Sequence, residues 1–88
     1  METKAGDPGA FARFDLTRVP SPAFVVDAAK VRANLAVLRG IGDASGAKVL
    51  AALKAFSMWS LGPTVAQYLD GVCASGLYEA RLGREEYG

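Results

Sequence analysis

The chain has 88 residues, 51% of them hydrophobic and 22% charged, which bounds it to one globular domain by the usual ~100–200 residues per domain. Ten Lys and Arg against nine Asp and Glu leave a net charge of +1, too little field to make nucleic acid or an anionic lipid surface a partner. The single cysteine excludes an internal disulfide framework and suits a reducing cytoplasm, and the absence of histidine removes the catalytic triads and most zinc sites.

Residues 1–13 read as a flexible leader, with Gly6, Pro8 and Gly9 among scattered charges and no apolar core of the kind a secretory signal carries. No later stretch reaches the ~18 apolar residues that a membrane helix needs. Ordered structure is predicted from Phe14. Pro20-Ser21-Pro22 imposes extended backbone, and Ala23-Phe24-Val25-Val26 is a short apolar, β-branched run that predicts a first strand. Asp27 stands where an N-cap belongs. From Ala28 to Arg39, Ala28, Val31, Leu35 and Leu38 share one helical face while Lys30, Arg32 and Asn34 point away. Arg39 suits the last turn of that helix, and Gly40 and Gly42 are expected to stop it.

A second cycle begins at Lys48. Val49-Leu50-Ala51-Ala52-Leu53 is an unbroken apolar run, the pattern of a strand covered on both faces. After the loop Ala55–Trp59, Ser60 is expected to cap a short helix with Pro63 in its first turn, ending at Asp70-Gly71. The third cycle is the strand Val72-Cys73-Ala74 and a helix from about Leu77 to Tyr87, with Arg81 and Glu85 spaced as an i, i+4 ion pair. The order β-α-β-α-β-α predicts an α/β fold with parallel strands and helical crossovers. Three such units make neither a closed (β/α)8 barrel, which takes ~250 residues, nor a doubly wound sheet. The chain is therefore expected to be the amino-terminal part of a larger protein. The alternative is a self-contained three-stranded domain, which would leave both edges of a parallel sheet open.

Lys54 is the candidate for chemistry. It closes the apolar run, and strand alternation puts Leu50, Ala52 and Lys54 on one face, with Val49, Ala51 and Leu53 on the other. An inward amine at the carboxyl end of a barrel strand, held among apolar groups, has the properties of a Schiff-base lysine. The competing reading is a lysine that closes a strand and extends to solvent. Gly40-Ile41-Gly42-Asp43-Ala44-Ser45-Gly46 misses the dinucleotide-loop spacing by one residue, and it follows a helix where that loop must follow a strand. Phe56, Met58 and Trp59 read as core or staple residues in preference to a ligand wall, Asp70 and Glu79 as ordinary helix charges, and Cys73 as an inert residue of a buried strand.

Three stretches carry a resemblance. They are Phe14-Asp15-Leu16-Thr17-Arg18-Val19-Pro20-Ser21-Pro22-Ala23-Phe24-Val25-Val26-Asp27 with Leu53-Lys54-Ala55-Phe56-Ser57-Met58-Trp59-Ser60, then Tyr68-Leu69-Asp70-Gly71-Val72-Cys73-Ala74-Ser75, and then Glu79-Ala80-Arg81-Leu82-Gly83-Arg84-Glu85-Glu86. Together they resemble the start of the carboxynorspermidine decarboxylase family. That family is a branch of the fold-type III pyridoxal-phosphate enzymes, which include ornithine and diaminopimelate decarboxylases and alanine racemase. Phe56 favours this branch, because the wider superfamily more often has Val-Lys-Ala-Asn around the lysine. The resemblance implies the amino-terminal part, residues 14–88, of a pyridoxal 5'-phosphate-binding (β/α)8 TIM barrel, with the Pro22–Val26 strand belonging to a separate β-domain. It implies decarboxylation of carboxynorspermidine or carboxyspermidine in polyamine biosynthesis, by a cytoplasmic homodimer. Lys54 matches the lysine that holds pyridoxal phosphate covalently. Ser75 matches the serine of the Ala-Ser segment after the second barrel strand, and Glu79 the nearby active-site glutamate, so both become candidates for cofactor binding. Glu79 lies one residue further from the serine than in the wider superfamily. The aspartate that those relatives place three residues before the serine is Val72 here, so no acid role carries over. The phosphate loop, the acid partner of the pyridine nitrogen and the substrate residues have no counterpart in these 88 residues, so the chain alone is expected to be inactive. Two alternatives remain: another fold-type III enzyme, such as diaminopimelate decarboxylase or an amino-acid racemase, and a truncated noncatalytic chain.

Overall fold

In the computed structural model, residues 11–88 are described, so ten of the thirteen positions of the predicted leader lie outside the described residues. Phe11 and Phe14 meet edge to face with ring centroids 6.4 Å apart, and the Phe14 N–H donates to the Phe11 carbonyl at 3.0 Å. A 3-10 turn, Leu16–Arg18, follows, capped by Asp15. The Thr17 hydroxyl donates to Asp15 Oδ1 at 2.6 Å and the Thr17 N–H at 3.0 Å, and these bonds hold the Asp15 carboxyl below the usual carboxylate range.

The strand predicted over Ala23–Val26 does not form. Its residues have strand character, but a strand is a ladder, and no neighbouring strand runs beside this segment among the described residues. Phe24 is 94% exposed as a result.

The first helix, α1 (Ala28–Ser45), starts where Asp27 predicts: Asp27 Oδ1 accepts from the N–H groups of Ala29 at 3.0 Å and Lys30 at 3.4 Å. It does not stop at Gly40 or Gly42. A glycine inside a helix costs only about 1 kcal/mol against alanine, which the surrounding hydrogen bonds outweigh. The stop is Gly46, whose φ of 75° is the left-handed conformation a helix end needs, with its N–H donating to the Gly42 carbonyl at 2.9 Å. Arg39 thus sits within the helix, not in its last turn.

Two strands form, β1 (Leu50–Ala52) and β2 (Gly71–Cys73), paired in parallel with Leu50 opposite Gly71, Ala51 opposite Val72 and Ala52 opposite Cys73. Between them a 3-10 turn, Trp59–Leu61, leads into α2 (Gly62–Tyr68), so Leu61 and not Ser60 stands at its N-cap, and Pro63 lies in the first turn as predicted. The last helix, α3 (Leu77–Glu86), matches its prediction to one residue, and Arg81 Nη2 lies 3.5 Å from Glu85 Oε1. The architecture is mixed helix and strand with a small parallel sheet, in the order α-β-α-β-α in place of three complete βα units.

The core is Leu35, Leu53, Val65, Leu69 and Tyr87, with Val31, Val49, Ala51, Val72 and Leu82 packed against it. The strands are covered on one face only. Val49, Ala51, Leu53 and Val72 face the helices, while Leu50 is 51% exposed and Cys73 is exposed rather than buried, because no complete layer covers the second face among the described residues. Phe56 and Trp59 are likewise 41% and 58% exposed, so they do not join the core. Two glycines allow close packing. A Cβ on Gly83 would lie 2.6 Å from Val72 Cγ2, and one on Gly62 would strike the Glu86 carbonyl oxygen, so the start of α2 sits directly against the end of α3.

Candidate functional site

Because β1 and β2 are parallel, their carboxyl ends lie side by side, ~4.8 Å apart across the ladder. The last ladder bond runs from the Leu53 N–H to the Cys73 carbonyl at 3.1 Å. The chain then turns at once, with the N–H groups of Ala55 and Phe56 both donating to the Ala52 carbonyl, at 3.1 and 3.3 Å. Leu53 is 2% exposed and anchors this turn in the core. Lys54, the next residue, is exposed in the turn and not the inward amine held among apolar groups that strand alternation predicted, because the strand ends at Ala52; it makes no ion pair among the described residues.

Ser75 is exposed and follows β2 by two residues, as Lys54 follows β1 by two, so both lie on the loops at the carboxyl end of the paired strands. Glu79, half-buried in the first turn of α3, accepts the Ser75 N–H on Oε1 at 3.2 Å. Ser75 and Glu79 are therefore joined directly, and Lys54 lies on the neighbouring loop at the same end of the sheet. Val72 packs toward the helices under Gly83. Phe56 lines a shallow apolar cavity of about 390 Å³ with Val31, Leu35, Leu38 and Leu50.

The opposite end of the strands holds residues whose role the sequence did not disclose. Asp70 Oδ2 accepts the Val49 N–H at 2.9 Å, and the Asp70 N–H donates to the Val49 carbonyl, also at 2.9 Å. Its other oxygen lies 3.9 Å from both Arg39 Nη1 and Lys48 Nζ, and Arg39 Nε lies 3.1 Å from Asp43 Oδ1. An aspartate just ahead of a strand was the available signal. Its partner lies 21 residues away, a distance that no local pattern spans. A cleft of about 220 Å³ beside these charges is at the amino end of the strands, away from Lys54. The two bonds between Asp70 and the Val49 backbone are the brace at this end.

In chemical terms the loops at the carboxyl end of the strands offer an accessible primary amine on one and an exposed hydroxyl on the next. Pyridoxal phosphate needs an amine that can reach its aldehyde carbon, and the exposure of Lys54 fits that need. Among the described residues no group of three acidic or cysteine side chains is placed to hold a metal ion, and no helix is long and apolar enough to cross a membrane.

No family model matches the chain. Curated relatives do. It is 40% identical over 70 residues, 80% of its length, to a carboxynorspermidine/carboxyspermidine decarboxylase of Herminiimonas arsenicoxydans. It is 40% identical over 68 residues, 77% of its length, to the protein of the same description from Campylobacter jejuni. The chain resembles the carboxynorspermidine/carboxyspermidine decarboxylases. A carboxyaminopropylagmatine decarboxylase of Synechocystis is also similar, at 37% over 73 residues, 83% of the chain. The chain spans about a fifth of the length of these decarboxylases, with 19%, 18% and 19% of each covered.

Proposed function

We propose that this chain is the lysine-bearing part of a pyridoxal-phosphate-dependent decarboxylase acting on carboxynorspermidine or carboxyspermidine in polyamine biosynthesis, within a cytoplasmic homodimer whose barrel these strands begin. The observation that carries the reading is the exposed amine of Lys54 directly after the carboxyl end of a parallel strand, in a chain 40% identical to such decarboxylases. When bound, pyridoxal phosphate supplies an electron sink for the bond to CO2. Lys54 Nζ is the nucleophile that holds it and, once released, a base able to carry a proton at that nitrogen. The Ser75 hydroxyl offers a donor and an acceptor at the neighbouring strand end. The buried Leu53 keeps the amine at a fixed depth against the sheet.

Borohydride reduction of the protein with pyridoxal phosphate, followed by peptide mass mapping, tests this. The pyridoxyl group is expected on the peptide containing Lys54, and labelling elsewhere with Lys54 unmodified refutes the assignment. A second substrate, carboxyaminopropylagmatine, is favoured by the 37% identity to the Synechocystis enzyme. Comparing turnover of the two carboxylated amines by the complete enzyme decides between them.

A further inference from the structure

The carboxylate of Glu79 has a specific occupation. Gly76, the residue ahead of α3, has no side chain and provides no capping bond. Glu79, third in the helix, reaches back past it and takes the Ser75 N–H on Oε1 at 3.2 Å. The bond resembles the reach-back half of a capping box displaced by one residue, from the N-cap to the residue before it, with the forward half missing. Its effect is to tie the turn after β2 to the first turn of α3, just where the ladder has ended: the last ladder bond is at Cys73, two residues before Ser75. Ser75 and Lys54 each follow the end of a paired strand by two residues, so a bond that fixes the Ser75 backbone steadies the loop neighbouring the one that carries the amine.

We propose that Glu79 is a positioning residue of the Lys54 site, acting through the Ser75 backbone and not by touching cofactor or substrate. The proposal rests on the reading of Lys54 given above. It makes a distinction that chemistry can test, because a carboxamide offers the same acceptor oxygen at the same reach without the charge. A glutamate needed as a charge or an acid would be replaced by glutamine no better than by alanine. A glutamate needed as an acceptor would be replaced well.

Two measurements are made on the unsubstituted protein and on Glu79→Ala and Glu79→Gln: hydrogen exchange of the Ser75 amide without pyridoxal phosphate, and the yield of reduced pyridoxyl label on Lys54. Glu79→Ala is expected to speed Ser75 exchange by about 10-fold, the upper worth of one hydrogen bond, and to lower the label yield. Glu79→Gln is expected to restore both to within about 2-fold, as a neutral acceptor retains most of such a bond. Ser75 exchange unmoved by Glu79→Ala overturns the proposal. So does Glu79→Gln restoring slow exchange while its label yield stays as low as in Glu79→Ala, since the charge itself would then be required. Failure of Lys54 to take the label even in the unsubstituted protein overturns the functional reading and the proposal resting on it, and is told apart by needing no variant.

Discussion

At the amino end of the strands, Asp70 holds the Val49 backbone by two hydrogen bonds and draws in Arg39 and Lys48, whereas at the carboxyl end Lys54 and Ser75 stand exposed, with one carboxylate bond linking loop to helix. In parallel α/β folds the two ends divide labour in this way: one braces the βα units while the other carries reactive groups on the loops. A lysine committed to an ion pair would be a poor nucleophile, and an exposed aspartate with no backbone bond would be a poor brace. The difference is thus visible in what each charged group already holds.

The sharpest way to break that comparison is at adjacent residues. Leu53→Ala removes a side chain that is 2% exposed and is expected to cost about 2–5 kcal/mol, enough to unfold a core of this size, as read in a denaturant titration. At the braced end, Asp70→Ala is expected to cost about 0.5–1.5 kcal/mol by removing the acceptor of the Val49 N–H, with Asp70→Asn losing less because its amide oxygen can still accept. Equal melting temperatures for Asp70→Ala and the unsubstituted protein would show that the brace is decorative.

A pH scan sharpens the same contrast. Tyr87 is buried against the base of the helices, its hydroxyl finds no partner, and burial pushes its ionisation above the ordinary value of 10.0. The native state therefore keeps this proton after the unfolded chain has released it. Stability from Tyr87 is fully present below the ordinary value and is lost as pH rises through the raised one. Tyr87→Phe is expected to flatten that alkaline loss, and difference absorbance between the two proteins should show the Tyr87 phenolate forming above the ordinary tyrosine value. The smallest effect is expected at the proposed cofactor lysine: Lys54→Ala should change stability by no more than about 0.5 kcal/mol, the range of exposed positions, while abolishing pyridoxyl labelling at that peptide.

Much of this was readable in advance where local rules act alone. Asp27 capped its helix, the i, i+4 pair Arg81–Glu85 formed, and α3 began at Leu77. Strand character at Ala23–Val26 was read without the partner that a ladder requires, and Gly40 and Gly42 were read as stops although only Gly46 takes the left-handed turn. Burial of Cys73 was inferred from an apolar run, yet burial depends on a second layer that the run cannot supply. At the site, alternation and the resemblance singled out Lys54, Ser75 and Glu79. The bond between Glu79 and the Ser75 N–H was not foreseen, because its meaning depends on Gly76 lacking a side chain.

The contact between Gly62 and the Glu86 carbonyl has a mechanical consequence for Lys54. The segment 54–61 is a span resting on two abutments, Leu53 sunk in the core on one side and Gly62 seated under the last turn of α3 on the other. A Cβ at position 62 would lift one abutment and tilt the span that carries the amine. The reach of Lys54 is therefore set in part by a residue eight positions away that bears no functional group at all.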